Sequence, residues 1–183
     1  MEIVEKVLTD AFVLRPRVFK DDRGYFYESF NDKVFNSLLG TRVDFIQDNQ
    51  SYSSKGTLRG LHFQKSDAAQ AKLVRVTRGS AYDVAVDLRP SSPTFKQWYG
   101  IELSEKNHLQ FFIPRGFAHA FVALEDNTIF QYKVDNYYSG VNDGGIIWND
   151  EELAITWPKL NLELSEKDKK LPKLNELNIN TLW

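Results

Sequence analysis

Cysteine is absent from the 183-residue chain. That excludes disulfides, Fe–S clusters, thiolate zinc sites and cysteine nucleophiles, and it is compatible with a reducing cytoplasmic setting, where the chain is expected. Histidine is scarce, with only three in the chain, so imidazole chemistry has few places to sit. No apolar run approaches the roughly 20 residues that span a bilayer. The opening MEIVEKVLTDAFVL lacks the basic-then-apolar pattern of a signal peptide. There is no surplus of cations either: the net charge of -2 argues against nucleic acid as the main partner, because neutralising a phosphate backbone needs a basic excess. A local basic pocket for a small phosphate ester is compatible with that charge. No Gly-rich phosphate loop or GxGxxG occurs, so a nucleotide would be held by side chains and not by a helix N-terminus.

What is present is 42% hydrophobic and 14% aromatic residues, enough for one sizeable core and one domain over 1–183. Most of the chain alternates with a two-residue period, broken by Gly, Pro, Asn and Asp. In SAYDVAVDLR, Tyr82, Val84, Val86 and Leu88 share one face and Asp83 and Asp87 the other. Phe130, Tyr132 and Val134 share a face, as do Phe117, His119 and Phe121. Turns are expected at RPSSP, PRG and SGVNDGG. Two short helices are expected: NDKVFNSLLG, with Asn31 as cap and Gly40 past its end, and LSEKDKKLP, with Ser165 as cap and Asp168 three residues on. Many short strands with helices at the periphery predict a mainly β jelly-roll barrel or sandwich, whose open mouth is the expected ligand pocket.

TLRGLHFQ, residues 57–64, places His62 in such a strand. Taken alone it is an ordinary half-exposed strand histidine, and Lys72 in the next strand a solvated lysine. Together, a histidine and a cation suit removal of a proton beside a carbonyl: the imidazole takes the proton and the ammonium stabilises the enolate. His119 reads equally as a core histidine, and His108 has no assigned role. Tyr132, on an apolar face, either bonds a backbone carbonyl or acts as a general acid. Arg23 and Arg59 suit bidentate binding of diphosphate or ordinary surface ion pairs. No HxH pair accompanies His62, so a cupin-type metal site is not expected. Alternation sets Arg59 and His62 on opposite faces, and Arg23 and Glu28 likewise. One site for all four requires bulges, with Gly60 and Gly24 as candidates, or a strand shared with a neighbouring subunit.

FKDDRGYFYESF, FIQDNQSYSSKGTLRGLHFQ, AKLVRVTRGSAYDVAVDLRPSSPTF, FIPRGFAHAFVAL, YKVDNYYS and LSEKD follow one another along the chain. In this order they resemble the dTDP-4-dehydrorhamnose 3,5-epimerases. The resemblance implies a cupin-like jelly roll, a homodimer, no metal or other cofactor, and a dTDP-linked 4-keto-6-deoxyhexose as substrate. It implies His62 as base, Asp168 as the carboxylate paired with it, Tyr132 as proton donor and Lys72 beside the enolate. It implies contacts to sugar or nucleotide from Arg23, Glu28, Gln47, Asn49, Arg59, His119 and Lys167, with Tyr138 as a stacking candidate. The family often has Glu after YYS, where Asp143 is the nearest acid here. Relatives on the scaffold invert C3 alone, invert C5 alone, or isomerise the ketone. A non-catalytic sugar-nucleotide binder and a metal-dependent cupin enzyme are the other classes weighed.

Overall fold

A computed structural model describes residues 1–183. The elements run β1 (Glu2–Lys6), β2 (Phe12–Arg15), β3 (Phe19–Asp21), β4 (Gly24–Phe26), α1 (Asp32–Leu39), β5 (Gln47–Ser53), β6 (Leu58–Gln64), β7 (Lys72–Arg78), β8 (Ser80–Asp87), β9 (Trp98–Ser104), β10 (Gln110–Ile113), β11 (Phe117–Ala123), β12 (Thr128–Val134) and β13 (Asp143–Gly145). They form a six-stranded sheet ordered β1-β2-β10-β7-β12-β5 and a five-stranded sheet ordered β13-β6-β11-β8-β9. Every named strand pairing is antiparallel. The sheets do not close on one another, so the expected jelly roll takes its sandwich form.

Between the sheets, Val74, Val76, Phe111, Phe117, Phe121 and Phe130 form the inner core, and the Phe121 and Phe130 rings stack at 4.0 Å. A second apolar layer covers the outer face of the five-stranded sheet, where Leu61, Phe63, Val84, Val86 and Leu88 pack under Ile146, Leu153, Leu174 and Leu182.

That second layer decides which face of β8 is which. Its apolar face is the outer one, buried by the C-terminal segment. Asp83 and Asp87 occupy the opposite face at zero exposure. They are tolerated there because each has partners: Asp87 binds Arg89, Ser92 and Thr94, and Asp83 binds His119.

The first helix forms as expected. The Asn31 side chain accepts from the Val34 N–H, and Gly40 ends the helix in the left-handed region. The second does not. LSEKDKKLP yields only a 3-10 turn over Asp168–Lys170, after which Leu171 is extended. Pro172 disfavours helical geometry at the residue before it. SGVNDGG is also only half a turn, since Asp143–Gly145 extend as a strand along β6. β3 and β4 form a hairpin that joins neither sheet. Tyr25 of that hairpin, and Tyr27 just after it, pack on His108.

Candidate active site

His62 reaches the site through a backbone irregularity in its own strand. In the β6–β11 pairing, His119 faces His62 and Phe121 faces Arg59. Two steps along β11 therefore match three along β6, so β6 carries an extra residue. Gly60 supplies it, with φ of 128°, a region L side chains rarely adopt. A Cβ there would lie 2.6 Å from the His119 carbonyl oxygen. The extra residue turns Arg59 and His62 to the same inner face, which resolves their opposite parity in the sequence.

His62, Arg59, Lys72, His119, Tyr132, Lys167 and Asp168 line one cavity of about 530 Å³. Five come from β6, β7, β11 and β12, aimed inward by strand alternation and, on β6, by the extra residue. Lys167 and Asp168 come from the C-terminal segment. His62 Nε2 lies 2.6 Å from Asp168 Oδ1; the histidine side chain is 32% exposed and the carboxylate 5%. Burial opposes ionisation of Asp168, yet hydrogen bonds from His62, Ser165 and the Gly60 backbone outweigh it and hold the carboxyl below its ordinary value. The Asp168 N–H donates to Ser165 Oγ at 3.1 Å. Ser165 thus makes the expected cap contact, while the Asp168 side chain turns to the histidine.

Behind this pair stands another. His119 Nε2 is 2.8 Å from Asp83 Oδ2, with side-chain exposures of 9% and 0%. Burial lowers the His119 pKa despite the Asp83 charge. Lys72 is 9% exposed and makes no ion pair, so it is a buried cation and not a solvated one. Burial pushes its pKa down to about 8, against the charges of Asp83 and Asp143. Its ammonium lies 5.8 Å from the Tyr132 ring centroid. Burial raises the Tyr132 phenol, with Arg59 opposing, so the phenol stays protonated at neutral pH. The cavity therefore offers a carboxylate-bound imidazole, a buried cation and a neutral phenol, a set able to take a proton, stabilise the resulting oxyanion and return a proton.

Other expected residues lie beside the cavity or away from it. Gln47 and Asn49 bond each other at 2.9 Å. Asn49 faces Tyr132 across the β5–β12 pairing and lines an adjoining hollow of about 520 Å³ that Tyr132 also borders. Asp143 accepts from Gln64 and pairs with Lys167. Tyr138 is 60% exposed on the following loop. Arg23 is not brought to the cavity: it pairs with Asp21 at 2.6 Å and its side chain is 90% exposed. Glu28 accepts from Asn31 Nδ2. No bulge at Gly24 unites them with His62.

Sequence reasoning passed over two polar groups. Asp83 was concealed as the polar side of an alternating strand. Ser51 lines the cavity, and its buried hydroxyl has no protein partner. Only its inward parity with Asn49 along β5 hinted at this.

A jelly-roll sandwich with a His–Asp pair, a buried lysine and a tyrosine in one cavity defines a proton-transfer enzyme class. The sequence model described as dTDP-4-dehydrorhamnose 3,5-epimerase matches residues 5–176. The chain is 53% identical over 178 residues to the dTDP-4-dehydrorhamnose 3,5-epimerase of Escherichia coli K12, covering 97% of this chain and 96% of that one. The Bacillus anthracis enzyme solved with TDP and PPi bound superposes with TM-score 0.91 at 55% identity, covering 94% of this chain and 99% of that one. The Legionella pneumophila enzyme in complex with dTDP-4-keto-L-rhamnose superposes with TM-score 0.94 at 44% identity, covering 99% and 96%. The chain belongs to the dTDP-4-dehydrorhamnose 3,5-epimerase family.

Proposed function

We infer that the chain inverts C3 and C5 of dTDP-4-dehydro-6-deoxy-D-glucose to give dTDP-4-dehydro-L-rhamnose. The observation that carries this reading is the His62–Asp168 pair at 2.6 Å in a cavity shared with Lys72 and Tyr132, within a chain of this family. Both carbons flank the C4 ketone, so one carbonyl acidifies both protons. His62 removes each proton. Asp168 fixes the imidazole tautomer and stabilises the imidazolium. Lys72 stabilises the enolate oxygen. Tyr132 returns a proton from the opposite face.

Arg59, His119 and Lys167 hold sugar or diphosphate at the cavity. Gln47 and Asn49 extend the site along β5, and Tyr138 stacks on the nucleotide. Asp143 serves through Lys167. Residues 1–183 act as one epimerase domain, a reading supported by the family match over 5–176. The chain works in the cytoplasm; no helix is long and apolar enough to cross a membrane.

The active form is a homodimer in which the β3–β4 hairpin of one protomer serves its partner's site and delivers Arg23 and Glu28. The hairpin joins neither sheet of its own chain. Its Phe19, Tyr25 and Phe26 are 51%, 56% and 66% exposed, an apolar surface that a partner would cover. Light scattering should give twice the mass of the chain, and a monomer would refute the shared site.

The activity is tested by incubating the protein with dTDP-4-dehydro-6-deoxy-D-glucose and assigning product stereochemistry by NMR. Inversion at C3 and C5 is expected. Inversion at one centre only would make it a single-centre epimerase, and an unchanged substrate would refute the reading.

A further inference from the structure

Asp168 reaches His62 from a C-terminal segment outside both sheets, yet the two groups meet at 2.6 Å. Something must hold that segment in place. Its regular structure nearby is limited to a bridge from Glu163 to Thr57 and two short 3-10 turns, Asp168–Lys170 and Leu174–Glu176, and turns this short do not position a side chain unaided.

The segment after β13 makes the connection. On one side it continues the pairing with the His62 strand: Gly145 faces His62, and Ile146 and Leu61 exchange backbone hydrogen bonds at 3.0 and 3.2 Å. On the other side it binds the tail: the Ile147 N–H donates to the Pro172 carbonyl at 2.9 Å. At its turn sits Asp150, 4% exposed. Asp150 Oδ1 accepts from the Glu152 and Leu153 N–H groups, each at 3.0 Å, and Oδ2 accepts from the Leu174 N–H at 2.8 Å. One buried carboxylate thus closes its own turn and grips the tail six residues beyond Asp168. The backbone approach is tight here as well, since a Cβ on Gly145 would lie 2.8 Å from Leu171 Cδ1.

We propose that Asp150 is a positioning residue for the reaction: its buried carboxylate ties the tail that bears Asp168 to the segment paired with the His62 strand, and so sets the His62–Asp168 contact. Asp150 does not line the cavity and acts only through Asp168. The inference rests on the catalytic reading given above, so its test includes a measurement on the resting protein that needs no substrate.

Asp150→Ser is the variant of choice. A serine hydroxyl still accepts from the N–H groups of its own turn but is too short to reach Leu174 as well. Displacing the dyad by a fraction of an ångström should lower kcat by about 10- to 100-fold, with KM within about twofold. In the Asp168→Asn background, which has already lost the carboxylate being positioned, the same substitution should lower kcat by no more than about twofold. By NMR, the His62 Nε2 proton bonded to Asp168 should lose its downfield resonance in Asp150→Ser, as it does in Asp168→Asn, while dTDP binding is unchanged. If instead Asp150→Ser lowers kcat by the same factor with and without Asp168, or leaves the His62 resonance in place, Asp150 only stabilises the fold and the proposal is wrong. Loss of the resonance in a protein that fails to epimerise would support the positioning role and count against the catalytic reading. Should Asp150→Ser not fold, Asp150→Asn decides by the same outcomes; if neither folds, the positioning role is overturned.

Discussion

Two His–Asp pairs stand side by side on neighbouring strands, and they have the same chemistry but different surroundings. His62 and Asp168 meet at 2.6 Å with the imidazole 32% exposed to the cavity. His119 and Asp83 meet at 2.8 Å with the imidazole 9% exposed and the carboxylate fully buried. Their Cα positions face each other across the β6–β11 pairing. What separates them is access and desolvation. A base must present a free nitrogen to substrate and carry a positive charge after proton transfer. Burial disfavours that charge at His119, so His119 suits a neutral hydrogen-bonding role, which supports the proposal of His62 as the base.

Removing each histidine in turn should separate the two pairs most strongly. His62→Ala should reduce turnover by about 10³-fold or more, near the upper range for loss of a general base. His119→Gln should act mainly on KM. Assays under saturating substrate separate the two, and equal losses of kcat would erase the distinction.

The carboxylates should divide in the same way. Asp168→Asn should lower kcat by about 10²-fold or more, because the imidazolium loses its counter-charge and the tautomer its anchor. Asp83→Asn should leave kcat within about tenfold but lower stability by about 1–3 kcal/mol, the usual result of disturbing a buried hydrogen-bonded polar group. Urea unfolding beside steady-state kinetics reads both quantities. Tyr132→Phe is expected to be smaller still on proton removal: solvent exchange should persist while inversion slows by about 10- to 100-fold.

Lys72 sharpens the contrast through pH. Its ammonium is charged below about 8, so the rate should fall as pH rises through that value, and Lys72→Met should remove this alkaline limb from its low residual activity. Stability runs the other way. The folded state binds the lysine proton less tightly than the unfolded state, so the unfolded state holds more protons between about 8 and 10.5. Stability should therefore rise with pH across that window. At pH 7, where the buried charge is present, Lys72→Met should stabilise the fold by roughly 3 kcal/mol. A variant of unchanged stability would show that Lys72 is not desolvated.

Much of this site was legible in the chain itself. Strict alternation placed Phe130 with Tyr132, and Phe117 with His119 and Phe121, on faces that the structure turns inward. The conflict of parity between Arg59 and His62 pointed to Gly60, where the extra strand residue lies. Alternation divided the faces of β8 correctly but could not say that both are buried, because it measures polarity and not burial. An aspartate aimed at a buried histidine looks like a solvent-facing one, and the true cover of Val84 and Val86 lies about 70 to 100 residues away in Leu153 and Leu182. The partnership of Asp168 with His62 spans 106 residues and follows no local period; it was legible only through family resemblance. Asp150 left no signal of its hold on the tail: the Glu152 and Leu153 donors belong to its own turn, but the Leu174 donor depends on where the tail comes to rest.

We assign removal of the protons at both C3 and C5 to His62. This assignment is tested most directly by incubating the dTDP-4-keto sugar with the enzyme in deuterated water and reading incorporation carbon by carbon. The wild-type protein should introduce deuterium at C3 and at C5, and His62→Ala at neither. Wild-type rates of incorporation at either carbon in the His62→Ala variant would contradict it.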